Sequence, residues 1–203
     1  MSGTPRVSSA RAVLSRPSPT PMARNIEIKA KVGDIAEITR KVAAIADSGP
    51  VEIVQDDTFF NCETGRLKLR AFPDGHGELI YYRRADDPGP KESYYLICAA
   101  LLPGSLRKIL SQSFGQGRRI EKRRTLFLVG RTRVHLDQVK GLGEFIELEV
   151  VLRDGEPAEA GIAEAHALTR ELGIDPSQLL DCAYVDLPAK AEASGRTRED
   201  VNE

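Results

Sequence analysis

The chain has 203 residues, 41% hydrophobic and 29% charged, enough for one domain with a sizeable core or at most two small ones. That balance excludes a disordered or membrane-spanning chain, and no uninterrupted apolar run approaches the roughly 18 residues of a transmembrane helix. The 29 basic and 30 acidic residues almost cancel, which argues against wholesale nucleic-acid binding and makes the placement of the charges the informative quantity.

Residues 1–22, rich in Ser, Pro and Arg, are expected to be a disordered tail. Met22 is an alternative start, and a transit-peptide reading is disfavoured because the prolines spoil an amphipathic helix. NIEIKAK at 25–31 alternates as a strand, with Ile26, Ile28 and Ala30 on one face and Asn25, Glu27, Lys29 and Lys31 on the other. Asp34 can cap a helix carrying Ile35, Ile38, Val42 and Ile45 at helical spacing, which ends near DSGP. Strands are then predicted over VEIVQDDTFFN, GRLKLRAF, ELIYYRRAD and KESYYLICAA, with PDGHG as a hairpin turn between the second and third of these. Pro103 opens a short helix that Gly115 closes. Three more strands follow, RRIEKRRTLFLV, TRVHLDQV and GEFIELEVVL, and the longest helix runs from about Pro157 to Leu172 with Gly173 as its stop. A helical turn near Pro176 and a final short strand over 183–187 complete a domain placed at 23–187, and residues 188–203 are expected to be a second disordered tail.

The cysteines, Cys62, Cys98 and Cys182, are far apart and form no CxxC pair, so a zinc site and a secreted disulfide framework are disfavoured and a reducing cytoplasm fits best. The histidines show no metal-ligand spacing, and His135 reads as a strand histidine hydrogen-bonded in a polar interior. Asp56 and Asp57 read as strand-terminating residues, and Tyr184 as a packing tyrosine in preference to one that closes a mouth.

A charged face recurs on nearly every strand. Arg66, Lys68 and Arg70 share one, Tyr82 and Arg84 another; Lys122 and Arg124, then Arg133, His135 and Asp137, then Glu147 and Glu149 follow. In an ordinary sandwich such faces look outward and mean only solubility. If the strands instead close into a barrel with helices outside, the charges are forced inward. A dry interior could not hold them, because each unpaired buried ion costs several kcal/mol. A wet tunnel that receives a polyanion and hard cations avoids that cost: Arg and Lys grip phosphate oxygens, while carboxylates hold Mg²⁺ or Mn²⁺.

These residues resemble the CYTH or triphosphate tunnel metalloenzyme superfamily, whose first strand carries ExExK where this chain has NIEIK. IEKRRTLF and VHLDQVKGLGEFIELE are most similar to its class IV adenylyl cyclase branch. The resemblance covers about 25–187 and implies an α+β fold, an eight-stranded antiparallel closed barrel with helices packed on the outside. It implies a metal-dependent enzyme that converts ATP to cyclic AMP and pyrophosphate, or alternatively a triphosphatase; a non-catalytic polyphosphate- or nucleotide-binding module is the third reading. By the same resemblance Glu27, Asp137, Glu147 and Glu149 would bind Mg²⁺ or Mn²⁺. Lys31, Lys68, Arg70, Arg84, Lys122, Arg124 and Arg133 would bind the triphosphate, and Lys29 would polarise it or help activate a nucleophile. Asn25 stands in place of the first motif glutamate, which leaves one or two metal ions open. Arg84 and Arg83 exchange roles if the register slips by one. The expected partner is ATP or inorganic triphosphate, with a homodimer as one option; membrane and nucleic acid are not expected.

Overall fold

The structure, a computed structural model, describes residues 22–87 and 89–187. The two expected tails lie outside the described residues, apart from Met22. In chain order the elements are β1 (Ala23–Lys31), α1 (Ile35–Ile45), β2 (Ser48–Phe60), β3 (Arg66–Ala71), β4 (Gly77–Arg84), β5 (Lys91–Ala100), α2 (Pro103–Phe114), β6 (Gln116–Val129), β7 (Thr132–Val139), β8 (Gly143–Val151) and α3 (Ala158–Glu171). The strands form a closed barrel in the order β1-β5-β4-β3-β2-β6-β7-β8, with every neighbouring pair antiparallel.

Local sequence explains the helix starts. The Asp34 carboxylate accepts hydrogen bonds from the Ala36 and Glu37 amides, at 2.9 and 3.0 Å, satisfying two donors that the first turn of α1 leaves free. Pro103 begins α2 at a position where a missing N–H costs nothing. The helices then need apolar surfaces. Val42 and Ile38 of α1, and Ala165, Leu168 and the following Leu172 of α3, share one core with Ile26, Ile28 and Ala30 of β1 and with Val134, Leu136, Ile146, Leu148 and Val150 of β7 and β8. Contact there is close: a Cβ on Gly161 of α3 would stand 2.6 Å from Cγ1 of Ile26 and 2.7 Å from Cδ2 of Leu152. A smaller core sets Leu110 and Leu106 of α2 against Phe60, Leu67, Leu69 and Leu79.

The main core therefore lies outside the barrel wall. Because strand side chains alternate, burying Ile26 and Ile28 outward sends Asn25, Glu27 and Lys29 inward, and these polar side chains are buried as well, at 4 to 7% exposure.

The register defines two barrel ends. Phe145, Val139, Ile120 and Phe59 mark one; Asn25, Thr132, Leu128, Val51, Phe72 and Ile97 mark the other. The expected final strand over 183–187 is not formed. Its residues instead turn across the first end, where Tyr184 joins Phe145, Val139 and Ile120 in an apolar cluster. The plug is tied to many strands: the Leu180 amide donates to the Lys29 carbonyl at 2.8 Å, Lys91 donates to the Leu180 carbonyl at 3.1 Å, Arg118 donates to the Val185 carbonyl at 3.2 Å, and Arg66 pairs with Asp186 at 2.8 Å. Satisfying backbone groups through the walls lets this segment fill the end without a ladder of its own.

Candidate active site inside the barrel

The barrel encloses a cavity of about 340 Å³. Its bases are Lys29, Lys68, Arg70, Arg84, Lys122, Arg124 and Arg133, and its acids include Glu27, Asp57, Glu147 and Glu149. Asp137 sits beneath them, fully buried.

Each acid is gripped by bases. Arg124 binds Asp137 with two nitrogens at 2.6 Å and reaches Glu147 at 2.5 Å. Lys122 and the Tyr184 hydroxyl donate to the same Asp137 oxygen, at 3.2 and 2.9 Å. Lys29 lies between Glu147, at 2.9 Å, and Glu27, at 3.4 Å, with its ammonium 4.3 Å from the centre of the Tyr184 ring. Arg84 pairs with Glu27, and Arg133 with Glu149 at 2.9 Å. On the far wall Asp57 accepts from Lys68 at 2.8 Å and from Arg70 at 2.8 and 3.0 Å.

Burial and charge set the protonation states. Burial raises the Asp57 carboxyl, but Lys68 and Arg70 more than offset it and hold the group well below the usual carboxylate range. Asp137 is held low in the same way by Arg124 and Lys122, and Glu147 by Lys29 and Arg124. Burial dominates at Glu27, whose carboxyl is raised despite Lys29 and Arg84. Lys122 is lowered to about 7 by burial and then by Arg124, and His135 to about 4 by the same two causes in the same order.

A pH dependence follows. His135 has a lower pKa folded than unfolded, so the stability it contributes above its unfolded value, about 6.5, is lost as pH falls toward 4. The depressed carboxylates contribute stability above their unfolded pKa of about 4, which is lost as pH falls below it. Metal-free protein is thus expected to show a falling urea midpoint between pH 7 and 5, and a steeper fall below 4. Glu27, whose raised carboxyl adds stability as pH falls, works against this change, so the His135 contribution is read as the difference between wild type and His135→Gln; no difference from pH 7 to 5 would mean that His135 is as easily protonated as in the unfolded chain.

Most of the expected site residues meet in this cavity. Lys29, Glu27, Glu147, Glu149, Lys68, Arg70, Arg84, Lys122, Arg124 and Arg133 line it, and Asp137 lies below. Arg84 is the inward member of its pair; Arg83 extends to the Met22 sulfur on the surface. Lys31 is a correction: it has the right parity, but it is the last residue of β1, exposed and outside the cavity. Asp57 is a correction of the opposite kind: it lies within β2 and does not terminate it, and it faces the charged interior. Tyr184 packs as expected, its ring 4.8 Å from that of Phe145, and its hydroxyl also reaches Asp137.

His135 is not hydrogen-bonded as its sequence suggested; among the described residues neither ring nitrogen has a hydrogen-bond partner. It lies 4.0 Å from Glu147 and 3.9 Å from Glu149, and the three offer ligand atoms all within 4.8 Å of one another. The Asn25 side-chain oxygen is also buried without a hydrogen-bond partner among the described residues. Unpartnered acceptors beside carboxylates fit a divalent cation. The strand parity of Arg133, His135 and Asp137 already carried this signal for His135; DDTFFN carried none for Asp57, because adjacent aspartates satisfy either parity.

A family model described as the CYTH domain matches residues 23–184. No curated protein matches the chain. Among solved structures, the PH1012 protein of Pyrococcus horikoshii OT3 superposes with a TM-score of 0.71 at 22% identity, over 80% of this chain and 98% of that one. A candidate adenylate cyclase from Vibrio parahaemolyticus gives 0.68 at 19% identity, over 84% and 99%. HpAC1 from Hippeastrum, a candidate adenylyl cyclase with a dominant triphosphatase activity, gives 0.58 at 13% identity, over 85% and 96%. At these identities the likeness is one of fold. Among the described residues no helix is long and apolar enough to cross a membrane.

Proposed function

Because the chain belongs to the CYTH domain family, we propose that it is a metal-dependent enzyme acting on a triphosphate, with the class IV adenylyl cyclase reaction as the leading reading. The observation that carries this is the cavity itself: nearly equal numbers of buried acids and bases, paired with one another inside a closed barrel. Such an interior is stable without substrate and can exchange partners. Phosphate oxygens take Lys68, Arg70, Lys122, Arg124 and Arg133, while the released carboxylates are free for a cation. Charge is conserved in each swap, so little desolvation is added on binding.

Glu147, Glu149 and His135 would hold a divalent ion, Mg²⁺ or Mn²⁺, with Glu27 and Asp137 as further oxygen donors; imidazole among them suits Mn²⁺ better than Mg²⁺. When bound, the ion neutralises phosphate charge and makes the phosphorus more electrophilic. The chain's own groups do the rest. The arginines fix the phosphate chain through paired N–H groups, and the closed wall keeps bulk water from competing. Lys29, between Glu27 and Glu147, supplies a positive charge where negative charge builds in the transition state. In the cyclase reaction the ribose 3′-hydroxyl attacks the α-phosphorus in line and pyrophosphate leaves.

Hydrolysis of the terminal phosphate is the second reading, favoured by the likeness in fold to HpAC1 and its dominant triphosphatase activity. Incubation with ATP and with inorganic triphosphate, each with Mg²⁺, Mn²⁺ or EDTA, separates the two. Cyclic AMP with pyrophosphate is expected, lost in EDTA. Orthophosphate alone would mean a triphosphatase, and binding without any product, undiminished by EDTA, would mean a binding module.

A further inference from the structure

The two ends of the barrel differ in chemistry. Residues 179–187 fill one end, and the deepest polar groups there, Asp137, Lys122 and Lys29, lie under Tyr184. The opposite end carries apolar side chains that no other part of the described chain covers. Ile97 of β5 is 54% exposed, Val51 of β2 52% and Leu128 of β6 38%. Each is the outward continuation of an inward-facing row: Ile97 follows Tyr95, Val51 follows Ile53, and Leu128 follows Leu126, and those neighbours line the same cavity as the bases. In the ring order β5 and β6 are four strands apart, so their apolar residues face each other across the mouth. The polar groups at this end are Arg133, paired with Glu149 and donating to the Tyr95 hydroxyl at 3.3 Å, Glu78 3.8 Å from Arg70, and the Asn25 amide.

Inorganic triphosphate, charged along its whole length, gains nothing from such a rim. A triphosphate ester has one apolar end and one charged end, and the cavity has the same polarity. We propose that substrate enters through this mouth with its terminal phosphate toward Tyr184, and that Ile97, Leu128 and Val51 form a subsite for the organic group. The enzyme then selects triphosphate esters with a flat or apolar substituent over inorganic triphosphate. This rests on the triphosphate reading above and adds the direction of entry and the residues that set specificity.

Binding measured by calorimetry in the presence of Mn²⁺ tests it without depending on which reaction occurs. The probes are inorganic triphosphate, ATP and phenyl triphosphate. At least one ester is expected to bind wild-type protein more tightly than inorganic triphosphate, by about tenfold or more. Ile97→Ser and, separately, Leu128→Ser are each expected to reduce that ratio several-fold; both side chains are exposed, so the fold should tolerate the change. Equal affinity for all three probes in wild type, or a ratio unmoved in both variants, overturns the subsite. If inorganic triphosphate and the esters all fail to bind, the triphosphate reading itself is overturned and the subsite falls with it.

Discussion

Asp57→Ala is expected to destabilise the metal-free protein by about 3–5 kcal/mol, the range for removing one partner of a buried ion cluster. Asp57 is 2% exposed and is the shared acceptor for Lys68 and Arg70, which approach it through three short contacts. Among the described residues, removal leaves Lys68 with no carboxylate within contact distance, and Arg70 with Glu78 at 3.8 Å alone. Both cations stay largely buried, at 14 and 13% side-chain exposure. Urea unfolding of the variant beside wild type gives the difference directly. The same experiment in inorganic triphosphate carries a second expectation: a polyanion in the cavity replaces the lost acceptor, so ligand should recover a larger share of stability in the variant than it adds to wild type. A loss below about 1 kcal/mol would mean that water reaches Lys68 and Arg70 in the folded state.

Glu147→Gln is expected to lower metal-dependent kcat by about 10² to 10³ while leaving the fold in place. The fold survives because the partners of Glu147 have other acceptors: Arg124 keeps Asp137 at 2.6 Å, and Lys29 keeps Glu27 at 3.4 Å. The amide retains the shape of the side chain and one acceptor oxygen but not the negative charge that a dication needs beside His135 and Glu149. Turnover and Mn²⁺ affinity, measured in parallel, should fall together. Undiminished turnover would remove Glu147 from the metal site and leave it as a structural partner of Arg124.

These two residues show what could be read in advance. Glu147 alternates with Ile146 and Leu148, whose apolar face has to meet a core, so its own direction is fixed by neighbours in sequence. Asp57 has Asp56 beside it, and the two have opposite fates. Asp56 faces outward and pairs with Arg107 of α2 at 2.9 Å and with Arg119 of β6 at 2.6 Å; Asp57 faces the cavity. Nothing in DDTFFN separates them, because the choice depends on which strands pair with β2. Lys31 fails for a related reason: parity is a local property, but the depth at which a strand leaves the barrel is set by its neighbours' register.

The sequence by itself determined the eight barrel strands and the three helices, though not the segment at 183–187, together with the alternation that divides each strand into an apolar and a charged face and the basic and acidic residue types that suit a polyanion with a metal ion. Those are consequences of backbone geometry and short-range pattern. Tertiary structure decided which acid meets which base, that His135 joins Glu147 and Glu149, and that one barrel end is filled by a turning segment while the other keeps an apolar rim. Those depend on barrel closure, which brings into contact residues such as Lys29 and Tyr184 that are far apart in the chain; Coulomb energy depends on their distance in space and on burial, neither of which a linear pattern contains.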